Sequence, residues 1–170
     1  MRLANAEDLP GIVDIYNSTI SSRKSTADTE IVTLESKNEW FVKHSKTRPI
    51  LVEELNEDIV AWVSFESFYG RPAYHSTAEI SIYVDAKYRA QGIGSRVLIE
   101  SIELCPALGI NNLIAFIFSH NKESLTLFEK HGFIKWGELP KVAEMDGNLF
   151  SLSILGIDVT VHNKRLHQTV

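Results

Sequence analysis

The run Glu79-Ile-Ser-Ile-Tyr-Val-Asp85 alternates, placing Ile80, Ile82 and Val84 on one face and Glu79, Ser81 and Tyr83 on the other, the two-residue period of a strand. Asn112-Leu-Ile-Ala-Phe-Ile-Phe118 is continuously apolar instead, as in a strand covered on both faces. Between them Val97 to Leu104 reads as a helix. After them Leu125 to Lys130 reads as a second helix, with Gly132 placed as its C-terminal cap. Upstream, Arg2 to Ala4 forms a short strand, and Asn5 caps a helix with Leu9, Ile12, Val13 and Tyr16 on its apolar face. Asn17 to Thr33 is rich in Ser and Thr without a period, which predicts a loop with a short helix, suited to covering a binding site. Leu34 to Lys43 is helical around Trp40 and Phe41. Pro49 to Glu53 and Ile59 to Phe65 are strands of a hairpin turning at 55–58, and Phe68 to His75 is an aromatic loop. Phe133 to Glu138 and Leu149 to Val159 complete the strands, with a turn at Asp146-Gly147. The sum is an α/β (α+β) fold: a mixed, largely antiparallel central sheet flanked by helices.

Composition narrows the class without naming a chemistry. At 170 residues, 44% hydrophobic and 23% charged, the chain suits one domain, drawn over 1–159 with a flexible polar tail at 160–170. A net charge of −5 argues against a nucleic-acid surface. A single cysteine, Cys105, forbids an intrachain disulfide, suits a reducing cytoplasm, and reads as a buried structural thiol at the end of an apolar helix. Neither a membrane-spanning stretch nor the apolar core of a signal peptide is present, so the expectation is a cytoplasmic protein away from membranes. His44, His75, His120 and His131 lack metal-ligand spacing, and without a Gly-x-Ser-x-Gly elbow a serine hydrolase is disfavoured.

The candidate chemistry sits at Arg89-Ala90-Gln91-Gly92-Ile93-Gly94-Ser95-Arg96, where a strand gives way to a helix. Two glycines there let the backbone approach a bulky anion, and the first-turn N–H groups of the helix have no internal partners. Arg89 and Arg96 add positive charge beside the turn. A Walker loop would need Lys-Ser or Lys-Thr after the glycines. A dinucleotide fingerprint would need a third glycine where Val97 stands. What remains is Arg/Gln-x-x-Gly-x-Gly, set against the plainer reading of a glycine turn that ends a strand and caps a helix.

This stretch resembles the acetyl-CoA motif of the GNAT superfamily of N-acetyltransferases. The order strand, glycine loop, helix, strand, Asn-x-x-Ser, helix, Gly-Phe follows that pattern from end to end. Ala6-Glu-Asp-Leu-Pro-Gly11, Ile15-Tyr-Asn17, Arg71-Pro72, Thr77-Ala-Glu79, Ile82-Tyr-Val84 and Asn121 are similar to the phosphinothricin and methionine sulfoximine N-acetyltransferase branch. The resemblance implies acetyl transfer from acetyl-CoA, without a metal, to the primary amine of a small amino-acid-like molecule. It implies a strand at Ile82, Tyr83 and Val84 that pairs with the pantetheine arm. It also implies a pyrophosphate loop at Arg89, Ala90, Gln91, Gly92, Ile93, Gly94 and Ser95, and a further cofactor contact at Asn121. Arg71, Pro72, Ala73 and Glu79 fall on the substrate side. Relatives in this branch are typically dimers with sites near the interface. The chain departs from the branch at Asp146 to Ser151, where a His-Gly-x-Trp-x-Asp segment is usual, and at Phe128, where many acetyltransferases carry a Tyr acid.

Such a reaction needs a neutral amine, and Glu79 is the candidate base, acting through a water, unless it is a solvated strand glutamate paired with a cation. Desolvation among Phe68, Tyr69 and Tyr74 would raise its pKa. A main-chain N–H near Tyr83 or Val84 would meet charge on the thioester oxygen. Tyr83 and His120 are possible proton donors to the thiolate, or a packing aromatic and a loop residue. Arg71 would grip a substrate carboxylate, or stand in water. Two other readings stay open. The acceptor could be a protein N-terminus, a polyamine or an aminoglycoside, or the chain could be a non-catalytic acyl-CoA-binding sensor.

Overall fold

The computed structural model describes residues 1–162. In chain order it contains β1 (Arg2–Leu3), α1 (Leu9–Ile20), α2 (Leu34–Val42), β2 (Ile50–Leu55), β3 (Asp58–Ser67), β4 (Thr77–Val84), α3 (Ile93–Leu104), β5 (Asn112–Phe118), α4 (Lys122–Lys130), β6 (Ile134–Met145) and β7 (Asn148–Asp158). The strands form one sheet in the order β1-β2-β3-β4-β5-β7-β6, antiparallel throughout except where β4 meets β5. The expected mixed, largely antiparallel sheet is therefore present, and the glycine turn leaves its central strand.

Both faces of the sheet are covered, which is why Val60 to Phe65 of β3 is buried without a break. On one face α3 and α4 bury Val97, Leu98 and Phe128 against Phe65, Leu113 and Ile117. On the other, α1 lays Ile12, Ile15 and Tyr16 over Val52 and Trp62, and the Trp62 indole N–H donates to the Ile12 carbonyl at 3.1 Å. Each such large side chain contributes roughly 1.5–3 kcal/mol on burial. Cys105 is fully buried, its thiol donating to the Ser101 carbonyl, and burial pushes its pKa up to about 12.

Helices α3 and α4 each begin about a turn before their expected starts at Val97 and Leu125, and three other boundaries differ from expectation. Helix α1 continues to Ile20, because Ser18 and Thr19 turn their hydroxyls back onto the Ile15 and Tyr16 carbonyls. The short helix expected within 17–33 is this last turn. Strand β6 runs to Met145 and does not stop at Glu138. Its register shifts on either side of Leu139, and an edge strand tolerates Pro140, which breaks the sequence pattern. Finally, residues 159–162 begin a helical turn in which the Asp158 carboxylate accepts from the Thr160 and Val161 N–H groups. The polar tail thus starts as structure, and from 163 onward it lies outside the described residues.

Candidate active site

Strands β4 and β5 pair only from Thr77 to Glu79. Beyond that point β4 stays in register with β3 up to Val84, while β5 follows β7 along its whole length. The two central strands therefore fork at Glu79, and peptide groups of β4 beyond it have no strand partner on the β5 side. A cavity of about 280 Å³ occupies the fork, walled by Glu79 to Tyr83, by Ala115 to Phe118 and by Asn121.

At the far end of β4 the chain turns into α3. Ala90 has φ +59° and Gly92 φ +81°, so left-handed residues alternate with ordinary ones and the main chain curls into a hollow. Gly92 caps α3 without a side-chain hydrogen bond, and the first internal bond closes from Arg96 N–H to the Gly92 carbonyl. The N–H groups of Ile93, Gly94 and Ser95 thus lie at the helix terminus, ready for an anion. An added Cβ at Gly92 would meet nothing within 4 Å, so glycine is required there by dihedral angle and not by space. Space is tight at Gly94, where a Cβ would stand 3.2 Å from a Leu127 methyl of α4 and that side chain would have to give way. Gln91 donates to the Lys87 carbonyl and Arg89 to the Val84 carbonyl, which brace the turn from behind. Ser95 bonds His131 at 2.8 Å. Arg96 does not serve the turn as expected. It is paired with Glu53 at 2.5 Å, and Glu53 is also held by the Met1 amino group.

The face of β4 bearing Glu79, Ser81 and Tyr83 lies beside Glu66, Ser64 and Trp62 of β3, in that order. Burial, and secondarily the Glu66 carboxylate across the strand pair, push the Glu79 carboxyl up to about 7. The cause is thus the pocket wall and a like charge. The aromatic trio Phe68, Tyr69 and Tyr74 stacks on itself in its own loop. Tyr83 lies flat on Trp62, rings 4.4 Å apart, and its hydroxyl donates to the Ser25 carbonyl; burial raises its pKa. Of the two roles left open for Tyr83, the geometry is that of the packing aromatic.

Residues 21–33 form a strap across the fork. Three successive carbonyls, of Arg23, Lys24 and Ser25, bond side chains from three places: His120, Asn121 and Tyr83. Asn121 also caps α4 by accepting from the Ser124 N–H, so both ends of its amide are engaged. Arg23 is held by Asp146 of the β6–β7 turn at 2.8 Å, which gives that divergent segment a structural part. Phe128 is buried at the cavity wall, edge-on to Phe133, with no proton to give.

Arg71, Pro72 and Ala73 are exposed in the loop before β4 and do not line the cavity. Of the four positions grouped on the substrate side, only Glu79 lines it. Ser25 to Ala27 fall in the Ser/Thr-rich segment expected to cover a binding site, though none of them was singled out. Glu66 was missed, whereas pairing β3 with β4 in register would have placed it opposite Glu79. Among the described residues no group of three His, Cys, Asp or Glu side chains is placed to hold a metal ion.

Comparison with known proteins gives this geometry a context. Residues 10–133 match the model of the acetyltransferase (GNAT) family. A Bacillus subtilis protein, YwnH, provisionally named a phosphinothricin acetyltransferase, is 55% identical over 94% of this chain and 99% of its own length. An L-methionine sulfoximine/L-methionine sulfone acetyltransferase of Pseudomonas aeruginosa is 28% identical over 94% of each chain. The solved structure of a Salmonella typhimurium protein provisionally named an acetyltransferase, with its cofactor acetyl-CoA, superposes with a TM-score of 0.85 at 24% identity, covering 93% of this chain and 92% of that one.

Proposed function

The chain belongs to the acetyltransferase (GNAT) family, and from that premise we propose that it acetylates the primary amine of a small amino-acid-like molecule, of the phosphinothricin, methionine sulfoximine or methionine sulfone type. The observation that carries this reading is the position of Glu79. It is a half-buried carboxyl at about pH 7, at the fork of two strands, on the strand that leads into an anion-ready turn.

Acetyl-CoA supplies the acetyl thioester when bound. The chain's own residues fit it. The N–H groups from Gly92 to Ser95 would hold its pyrophosphate, with Arg89, Ala90 and Gln91 shaping the turn. Along Ile82, Tyr83 and Val84, the peptide groups that face away from β3 would offer an extended amide arm the hydrogen bonds that β5 does not, the Val84 carbonyl being already engaged by Arg89. Asn121 holds the strap and the α4 terminus beside that arm. Glu79, ionised, accepts a proton from the acceptor ammonium through a water, which frees the nitrogen lone pair to attack. A main-chain N–H near Tyr83 or Val84 meets the charge that builds on the acyl oxygen. Bound acetyl-CoA would supply the acyl carbon and would take the carbon–sulfur electron pair as thiolate, and the proton that the nitrogen sheds on becoming an amide would pass to that thiolate or to solvent, so no acid of this chain is required. Tyr83 shapes the pocket floor and gives no proton.

In this reading the protein works in the cytoplasm as a homodimer. The edge strand β6 supports the latter, because it leaves Ile134, Trp136, Leu139 and Val142 exposed in a row that a second copy would cover. Thiol release from acetyl-CoA, followed across a panel of amines, tests the activity. Turnover is expected with methionine sulfone, methionine sulfoximine or phosphinothricin. Thermal stabilisation by acetyl-CoA without turnover of any amine would contradict it.

A further inference from the structure

The sheet face that carries Glu66 and Glu79 is crossed by α1 and α2, and the crossing creates an aromatic wall. Tyr16 lies 5.2 Å from the Tyr83 ring, and Trp40 lies 5.6 Å from Trp62 while donating its indole N–H to Glu66. One turn before Trp40, Lys37 projects its Nζ over the Tyr16 ring at 4.0 Å and the Trp40 ring at 5.1 Å. Ring faces therefore fix this ammonium in place. Among the described residues no carboxylate comes within ion-pair distance of it. Asp28 and Glu66 act on it only through space, each already accepting from an aromatic partner, Tyr16 and Trp40.

Lys37 is thus half-buried, singly charged and short of acceptors for its three N–H donors. Desolvation pulls its pKa down, partly offset by the charges of Asp28 and Glu66. On the same face stand two carboxylates of the opposite sign, Glu66 and Glu79, one strand pair apart. An α-amino acid is the complement of this array, with an anionic carboxylate and a cationic amine on one carbon. Neither Lys37 nor Arg71, the other cation considered for the carboxylate, lines the cavity itself, but Arg71 is exposed in the loop before β4, whereas Lys37 reaches the cavity wall through the Tyr16–Tyr83 contact.

We propose that Lys37 is the residue that recognises the acceptor's carboxylate, orienting the molecule so that its amine faces Glu79. This inference rests on the acetyltransferase reading given above. It makes Lys37 a specificity determinant that selects free amino acids over amines without an adjacent anion.

The test compares methionine sulfone with its carboxamide, in which the anion is replaced by a neutral group, in the wild type, Lys37→Met and Lys37→Arg. Methionine keeps the apolar stem over Tyr16 and removes only the charge. In Lys37→Met, KM for methionine sulfone should rise roughly 10- to 100-fold, as for loss of a charge-assisted hydrogen bond. KM for the carboxamide and for acetyl-CoA should be unchanged, and Lys37→Arg should recover much of the preference for the acid. Wild-type turnover with the acid-over-amide preference intact in Lys37→Met would overturn the inference alone. So would an equal loss on both acceptors. A wild type that acetylates no amine while still binding acetyl-CoA would defeat the functional reading and this inference with it.

Discussion

Replacing Glu66 by glutamine isolates one cause of the Glu79 pKa. Glutamine keeps the shape and the Oε1 acceptor, so the 2.9 Å hydrogen bond from the Trp40 indole survives, and only the charge facing Glu79 is lost. The Glu79 carboxyl is raised from 4.5 to about 7, first by burial and then by Glu66. The neighbour's charge supplies the smaller share, so its removal should lower the Glu79 pKa by no more than about one pH unit. The base must be ionised to act. Wild-type kcat/KM for methionine sulfone should therefore fall about tenfold per pH unit below its inflection near 7. In Glu66→Gln that limb should move acidward. Activity at pH 6, relative to the plateau, should rise by up to about fivefold, the change in ionised fraction for a shift of one pH unit. Thiol release measured from pH 5 to 9 at saturating acetyl-CoA reads this directly. An inflection that stays put, or moves to higher pH, would refute the claim that like-charge repulsion across the strand pair helps tune the base.

Glu79→Gln should remove the acid limb altogether and lower kcat roughly 10²- to 10⁴-fold, measured in the same assay. The same substitution has a stability signature. Burial favours the protonated carboxyl, so its contribution is present below about pH 4.5 and lost as pH rises through about 7; denaturation followed across that window should be flatter in Glu79→Gln than in the wild type. Gly92→Ala forces a side chain into φ +81° at a cost of about 1–2 kcal/mol, and relief of that strain should open the turn and raise KM for acetyl-CoA above all. Asn121→Asp keeps the acceptor for the Ser124 N–H but loses the donor to the Lys24 carbonyl, so limited proteolysis should cut within residues 21–33 faster than in the wild type. Phe65→Ala should cost about 3–5 kcal/mol in chemical denaturation, because Phe65 is fully buried between the central sheet and α3.

The local code of this chain was enough to place its strands, its helices and the anion-ready turn, because hydrophobic period, Asn and Gly caps, and left-handed glycines act over a few neighbouring residues. Asn5, Gly92 and Gly132 each stand where those rules put them, whereas Asn121, expected only as a cofactor contact, caps a helix that begins three residues before its expected start at Leu125. The same rules failed at Pro140, where a sheet edge absorbed a residue that the pattern treats as a breaker. They also failed at Ser18 and Thr19, where side chains that favour loops were satisfied inside a helix. Only the tertiary structure decided which groups share the site. Burial raised the Glu79 carboxyl towards neutrality, and strand register added the smaller push of Glu66 by setting it opposite. The crossing of α2 brought Lys37 over Tyr16, and long-range pairing with Glu53 took Arg96 away from the turn. Such outcomes depend on contacts between residues dozens of positions apart, where burial and opposing charges are summed, and no short window of sequence contains that sum.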